Sequence, residues 1–358
     1  MVGGGGTRLW PVSRNKKPKQ FLKLFHGQTL TQVTSYRFNK ILPWEKIYAV
    51  TTSPEYKKEI LNEVPEFLDK NIIVEPMKRN TAAAHALGAL YIYKVDPEAV
   101  ILNEAADHLV DPQREYLENQ LSAAEAVYGR NLLLALGIKP TYPNVGYGYM
   151  KMGDKIGEYG GKHLFKLEKF TEKPDLETAK KYLSEGKYFW NGNQYVWGAK
   201  SFLDALSKHA PEISKGMNAI SEALGTKDEG RTIKKIYEKL PDISVDYAVS
   251  EKADNFVIII ADYKWTDIGD WKEVWDNLPK DSSGNVIITG SEPGGEVINL
   301  DTTDALIHSD GRLIAAVDVD NLIVIDTKDA LLITSKSHAQ SVKKIVEKLK
   351  AEKRIELL

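Results

Sequence analysis

Short aliphatic runs alternate with amphipathic segments over most of this chain, and that alternation limits its possible folds more than any other feature. Residues 47–51, 72–74, 99–102 and 132–136 read as strands; 30–41, 54–62, 81–94 and 114–128 read as helices. The strands are apolar throughout rather than on alternate residues. That pattern predicts an α/β domain with a Rossmann-like, mainly parallel sheet, covered by helices on both faces. In such sheets ligands bind beyond the carboxyl ends of the strands, so the loops there are where chemistry is expected. The rhythm breaks at a Pro/Ser/Gly/Asp-rich stretch, 277–285. After it come closely spaced β-like runs at 286–288, 297–300, 306–308, 313–317, 322–325 and 331–334, and Asp-Ala-Leu recurs at Asp304 and Asp329. This weak repeat predicts a small β-solenoid or sandwich. With 358 residues available, the chain divides into a first domain over 1–278 and a second over 284–358. A terminal helix follows, with Val342, Ile345, Val346 and Leu349 on one stripe. Such a stripe has to cover the chain's own body or a partner subunit, and a homodimer is expected.

Composition removes several classes of function. Lys and Arg number 48 against 50 Asp and Glu, a formal charge of −2, with no basic surplus to neutralise nucleic-acid phosphates. The absence of cysteine excludes a disulfide scaffold, a thiolate metal site and a Cys nucleophile. The aliphatic run 257–261 is far too short to span a bilayer, and the N-terminus carries no basic-then-apolar leader. A cytoplasmic protein without nucleic-acid or membrane partners is therefore expected.

The segment Gly3-Gly4-Gly5-Gly6-Thr7-Arg8-Leu9-Trp10-Pro11 offers bare N–H groups followed by a guanidinium, which suits a triphosphate. It is neither a Walker A loop nor the dinucleotide fingerprint, because the Gly-Lys-Ser/Thr and the third glycine are missing. Lys16, Lys17 and Lys19 flank Pro18 and by themselves read as a solvated basic turn. Asp107 and Asp267 each follow a strand, at distant points of the sequence. Mg²⁺ commonly takes one or two protein carboxylates and completes its shell with phosphate and water, while a lone loop Asp also reads as a turn residue. Asp270 reads as a helix cap in a capping box with Glu273. His108 reads as structural, since no second His stands at zinc spacing. Glu172, Lys173 and Asn191 read either as sugar and phosphate ligands at strand ends or as a turn beside a core strand. No serine-hydrolase elbow, zincin motif or EF-hand loop is present.

Taken together, these segments resemble the mannose-1-phosphate guanylyltransferases among the sugar-nucleotide pyrophosphorylases. The likeness rests on residues 5–14 with Pro18-Lys19-Gln20-Phe21, Glu75-Pro76 with Arg79-Asn80-Thr81-Ala82, and Ala106-Asp107-His108. It continues through Gly146–Tyr149, Glu172-Lys173-Pro174, Trp190-Asn191, Val245–Ala248 and Trp265–Gly269, and it spans nearly the whole chain in family order. The resemblance implies that Gly5, Gly6, Thr7 and Arg8 hold the nucleotide phosphates, with Arg8 and Lys19 stabilising charge. It places Arg79, Asn80 and Thr81 near guanine. Gly148, Glu172 and Asn191 would bind the sugar, Lys173 its phosphate, and Asp107 and Asp267 Mg²⁺. The implied reaction is in-line attack of mannose 1-phosphate on the α-phosphorus of GTP, releasing pyrophosphate.

Some positions depart from the family pattern. Only Met1 and Val2 precede the glycines where the family has a full strand, so a start upstream of Met1 is expected. Glu104-Ala105 replaces an apolar residue and Pro, Gly192-Asn193 replaces Ser-Gly, and Asn144-Val145 replaces Glu-Thr. Neither the extra domain of bifunctional relatives nor isomerase activity is expected. Two other readings are a sibling pyrophosphorylase for another nucleotide or hexose 1-phosphate, and a catalytically silent regulatory subunit on the same fold.

Overall fold

The strand Leu133–Ile138 is buried at every residue and lies inside a six-stranded sheet, as its apolar sequence requires. The sheet order is Val100–Asn103, Tyr188–Gly198, Leu133–Ile138, Phe256–Ile260, Lys162–Thr171 and Gly148–Tyr159. Leu133–Ile138 pairs in parallel with Phe256–Ile260, and Ala49–Thr51 in parallel with Ile72–Val74. Tyr188–Gly198 runs antiparallel to both of its flanking strands, and the long hairpin of Gly148–Tyr159 and Lys162–Thr171 is antiparallel as well. The α/β character is as expected. Strand direction is the mixed part, because a run buried on both faces carries no signal of its direction.

The computed structural model describes residues 1–3, 6–25, 27–290 and 295–358. Its backbone gathers into two units that do not follow the linear order of the chain. The first comprises Met1–Val2, Ser35–Ala105 and Val110–Trp265. Its core includes helix Asn80–Val95, which is buried all round from Ala82 to Leu90 and apolar there except for His85, whose ring nitrogen Nδ1 pairs with Asn103 Oδ1 at 3.0 Å. Val2 makes an isolated parallel bridge to Thr51, and the Met1 amine donates to the Glu104 carbonyl.

The second unit comprises Gly3–Thr34, Ala106–Leu109 and Thr266–Leu358. Of the two β architectures expected, it has the solenoid. Val286–Thr289 stacks in parallel on Leu306–Ser309, which stacks on Leu322–Asp326, while Glu296–Leu300 pairs in parallel with Leu313–Val317. Between these layers lie Ala305, Ile307 and Ala316. Buried Asn285 clasps successive turns, donating to the Thr302 carbonyl at 2.8 Å and accepting from the Ala305 N–H at 2.9 Å. The terminal helix Val342–Ala351 buries Val342 and Val346 in a core shared with Leu9, Trp10, Ile268 and Trp271. Its stripe is thus satisfied largely within its own unit, with Ile345 left exposed. Trp10 Nε1 donates to the Leu357 carbonyl, and Trp271 Nε1 to the Trp10 carbonyl. No helix among the described residues is long and apolar enough to cross a membrane.

Candidate active site

Four of the residues singled out in sequence, from three distant stretches, meet on the second unit. Gly6 adopts φ 55° and opens a short turn of helix, Thr7–Leu9, that carries Arg8. A β-carbon at Gly6 would sit 2.6 Å from Lys19 Cβ, so glycine serves both the backbone conformation and the approach of Lys19. Gly5 lies outside the described residues. Lys19 is almost wholly buried, and its ammonium lies 2.8 Å from Asp107 Oδ2 while donating to the Asp267 carbonyl. Burial would raise the Asp107 carboxyl, but Lys19 and then His108 outweigh it and hold the group at about 2. His108 Nε2 stands 3.6 Å from Asp107 Oδ1, so this histidine belongs to the cluster.

Asp267 sits on the turn 266–270, whose geometry is unusual. Ile268 is fully buried at φ 46°, a conformation that costs a β-branched residue about 1–2 kcal/mol. The Ile268 N–H donates to Thr266 Oγ1 at 3.3 Å, and the Gly269 N–H to Glu273 Oε2 at 2.5 Å. Asp270 caps helix Trp271–Asn277 as expected, its Oδ1 accepting from the Lys272 and Glu273 amides. A methyl group built on Gly269 would lie 3.0 Å from Asp267 Oδ1, 3.3 Å from Arg8 Nη2 and 3.4 Å from Glu273 Oε2. Arg8, Asp267 and Glu273 therefore converge on one point. Burial and the adjoining Asp267 push the Glu273 carboxyl upward.

Whether this donor set suits a divalent ion is answered by Asp267 Oδ1, which is buried and makes no hydrogen bond among the described residues. An orphaned carboxylate oxygen is costly unless a cation comes to it. Among the described residues no group of three potential metal-ligating side chains occurs. The donor set therefore fits an ion that takes one or two carboxylates and draws its remaining ligands from phosphate and water, rather than an all-protein cage.

A second cluster forms on the first unit. Asn191 and Tyr195 lie on strand Tyr188–Gly198. Asn191 Nδ2 donates to Asp246 Oδ1 at 2.9 Å and to the Tyr195 hydroxyl at 2.8 Å, and that hydroxyl donates to Asp246 Oδ1 at 2.6 Å. Asn193, at φ 55°, lies where the pairing with Leu133–Ile138 shifts register, and its N–H donates to Asn191 Oδ1 at 3.1 Å. Asparagine tolerates this left-handed position in place of the family's glycine. Glu172 is pushed upward by burial and then by Asp246, while Lys173, at φ 46°, pairs with the Glu172 carboxylate. Burial lowers Lys173, but Glu172 more than offsets it and the net shift is upward. Gly148 faces the same carboxylate, since a β-carbon there would lie 2.5 Å from Glu172 Oε2.

The third predicted group begins helix Asn80–Val95. Arg79 donates from Nε and Nη2 to the Tyr237 and Glu238 carbonyls at 2.7 and 2.9 Å. Asn80 adopts φ 59°, with its Oδ1 accepting from the Thr81 N–H, and Thr81 Oγ1 accepts from the Val245 N–H at 2.9 Å. At the carboxyl end of strand Ile72–Val74, buried Glu75 has an Oε1 without a hydrogen-bond partner among the described residues, and burial raises its carboxyl to about 7.

Reading the sequence gave no role to Asp246 or Tyr195, quoted Glu75 and Glu104 without their buried surroundings, and missed the approach of Glu273 to Asp267. Asp246 lay inside a quoted motif, so its neighbours in sequence could have found it. Glu104 occupies a position that departs from the family, and its carboxylate accepts at 2.5 Å from the Tyr116 hydroxyl and at 3.1 Å from Gln194 Nε2. Nothing in a single sequence marks those buried partners.

Comparison with known proteins agrees with both halves of the chain. The family described as nucleotidyl transferase matches residues 1–284, and a MannoseP isomerase/GMP-like beta-helix domain matches 295–349. A mannose-1-phosphate guanylyltransferase of Escherichia coli is 36% identical over 362 residues, covering 99% of this chain and 74% of the relative. A putative mannose-1-phosphate guanylyltransferase of Vibrio cholerae serotype O1 is likewise 36% identical, over 99% of this chain and 75% of its own length. The chain thus spans about three quarters of these relatives. A crystal structure described as mannose-1-phosphate geranyltransferase of Thermus thermophilus superposes with a TM-score of 0.84 at 28% identity, over 98% of each chain.

Proposed function

The chain belongs to the mannose-1-phosphate guanylyltransferases within the nucleotidyl transferase family, and on that footing we propose that it makes GDP-mannose and pyrophosphate from GTP and mannose 1-phosphate. The observation that carries the reading is the convergence of Lys19, Asp107, Asp267 and Arg8 on the second unit, which is suited to polyphosphate and a divalent ion. Gly5, Gly6, Thr7 and Arg8 bind the nucleotide phosphates, and Lys19 offsets negative charge beside them. Arg79, Asn80 and Thr81 shape the base end, with Arg79 acting through the Tyr237 and Glu238 carbonyls it holds. Gly148, Glu172 and Asn191 take the hexose, and Lys173 its phosphate.

Asp107 and Asp267 would hold Mg²⁺, which supplies charge neutralisation at the phosphates when bound. The attacking phosphate oxygen of mannose 1-phosphate is already ionised at neutral pH, so the protein needs no general base. It bonds to the α-phosphorus as the bond to the pyrophosphate oxygen breaks, and pyrophosphate leaves with that electron pair. What the protein contributes is alignment and fixed positive charge, with no covalent intermediate. A cytoplasmic location and a homodimer belong to the same proposal; sedimentation equilibrium checks the latter.

The test is pyrophosphate release with mannose 1-phosphate and Mg²⁺ across GTP, ATP, UTP, CTP and dTTP, with glucose 1-phosphate in parallel and products identified by mass. A GTP-selective signal yielding GDP-mannose is expected. Selectivity for another nucleotide or hexose would make the chain a sibling pyrophosphorylase, and silence from folded protein would favour a regulatory subunit.

A further inference from the structure

Glu273 reads in sequence as the far half of a capping box, whose carboxylate would return to the cap residue's own amide. In the structure its Oε2 accepts instead from the Gly269 N–H, one residue earlier, and a β-carbon built on Gly269 would lie 3.0 Å from Asp267 Oδ1 and 3.4 Å from Glu273 Oε2. The same turn holds Ile268 in a left-handed conformation that its buried β-branched side chain disfavours. Such a conformation persists only when its surroundings impose it, and the described contacts that do so are Thr266 Oγ1 on one side and Glu273 on the other. Glu273 itself is well anchored. It lies in the first turn of a helix capped by Asp270 and fixed by the wholly buried Trp271 and Val274.

We infer that Glu273 is a positioning residue for Asp267: through the Gly269 N–H it locks the turn 266–270 that carries the Asp267 carboxylate, and so holds Oδ1 where a divalent cation can meet it. The inference rests on the proposed role of Asp267 as a metal ligand. Groups that orient a metal ligand typically change metal affinity roughly 10- to 100-fold when removed.

The experiment uses the whole chain with GTP present and reads Mn²⁺ binding by loss of the free-ion EPR signal, alongside thermal melts. Glu273→Ala is expected to weaken Mn²⁺ binding roughly 10- to 100-fold while the melt stays cooperative. Glu273→Gln, which keeps an oxygen for the Gly269 N–H, is expected to bind within about 3-fold of the parent. If alanine at 273 melts too early to assay, Glu273→Met, of equal length without an oxygen, takes its place. Unchanged Mn²⁺ binding in the alanine or methionine variant, with Asp267→Ala abolishing it, overturns the inference and leaves the metal assignment standing. Unchanged binding in Asp267→Ala overturns the metal assignment itself. Equal losses in Glu273→Gln and Glu273→Ala show that the charge acts rather than the hydrogen bonds, which also overturns positioning.

Discussion

Around Lys19 the functional side chains are charged and face one another directly, with Asp107 ion-paired, Arg8 and Glu273 close by, and one Asp267 oxygen left bare. Around Asn191 the hydrogen bonds to Asp246 come instead from neutral groups, the Tyr195 hydroxyl and the Asn191 amide, each within 3 Å, with the Glu172–Lys173 ion pair in the same cluster. The difference matches what each cluster is proposed to bind. A polyphosphate and its cation need fixed, opposed charges whose worth grows as charge develops in the transition state. A hexose offers hydroxyls, and recognising them takes donors and acceptors held in place by a satisfied network. Both arrangements hold a residue in the left-handed region and leave buried polar atoms unmet among the described residues, Asp267 Oδ1 in the first and Asn193 Oδ1 and Trp190 Nε1 in the second.

The comparison breaks most readily at Asp267. Asp267→Ala is expected to lower Mg²⁺-dependent kcat by about 10³-fold or more, in the range seen when a key electrostatic group is lost. Its melting temperature should stay level or rise, because a buried carboxylate oxygen without a partner disappears. Undiminished turnover would refute the metal assignment. Asn191→Ala should act on the other parameter, raising KM for mannose 1-phosphate by roughly 30-fold with a much smaller change in kcat, as expected for lost uniform binding. Initial rates at saturating GTP decide it, and a collapse of kcat alone would erase the distinction between the clusters.

Tyr195→Phe tests whether the second cluster is as satisfied as it looks. The change removes a buried hydroxyl that donates to Asp246 and accepts from Asn191 and Ser250. Chemical denaturation should show a loss of about 2 kcal/mol. Glu75 gives the smallest effect and a signed one. Burial raises its carboxyl from 4.5 to about 7, so the stability tied to its protonated form is complete below pH 4.5 and is lost as pH rises through 7. Glu75→Gln should therefore flatten stability over that window and gain on the order of 1 kcal/mol at pH 8, with little change at pH 4. A parallel shift at every pH would show that the carboxyl does not titrate there.

Much of this was legible in the sequence because it depends on local pattern. Strand Ile72–Val74 and the solenoid run Leu313–Val317 fall where the apolar runs place them, and helix Asn80–Val95 lies within one residue of its expected ends. Asp107 and Asp267 lie in the loops after strands Val100–Asn103 and Lys264–Thr266, where the sequence places them. What stayed hidden depends on pairing across the chain. The antiparallel course of Tyr188–Gly198 is set by neighbours on both sides. Packing of Leu9 and Trp10 with the terminal helix is likewise non-local, and it met the need of a stripe that the sequence could equally assign to a partner. Glu273 was assigned to the right helix and the right turn; only the turn's left-handed residue redirects its carboxyl to Gly269 and Asp267.

The central claim, direct transfer between GTP and mannose 1-phosphate driven by fixed charge, is tested most directly by the stereochemistry at the α-phosphorus. One diastereomer of α-thio-GTP would be turned over with mannose 1-phosphate, and the configuration of the product determined by phosphorus NMR. The account predicts α-thio-GDP-mannose with inverted configuration at that phosphorus. Retention would require two displacements through a covalent intermediate and would contradict it.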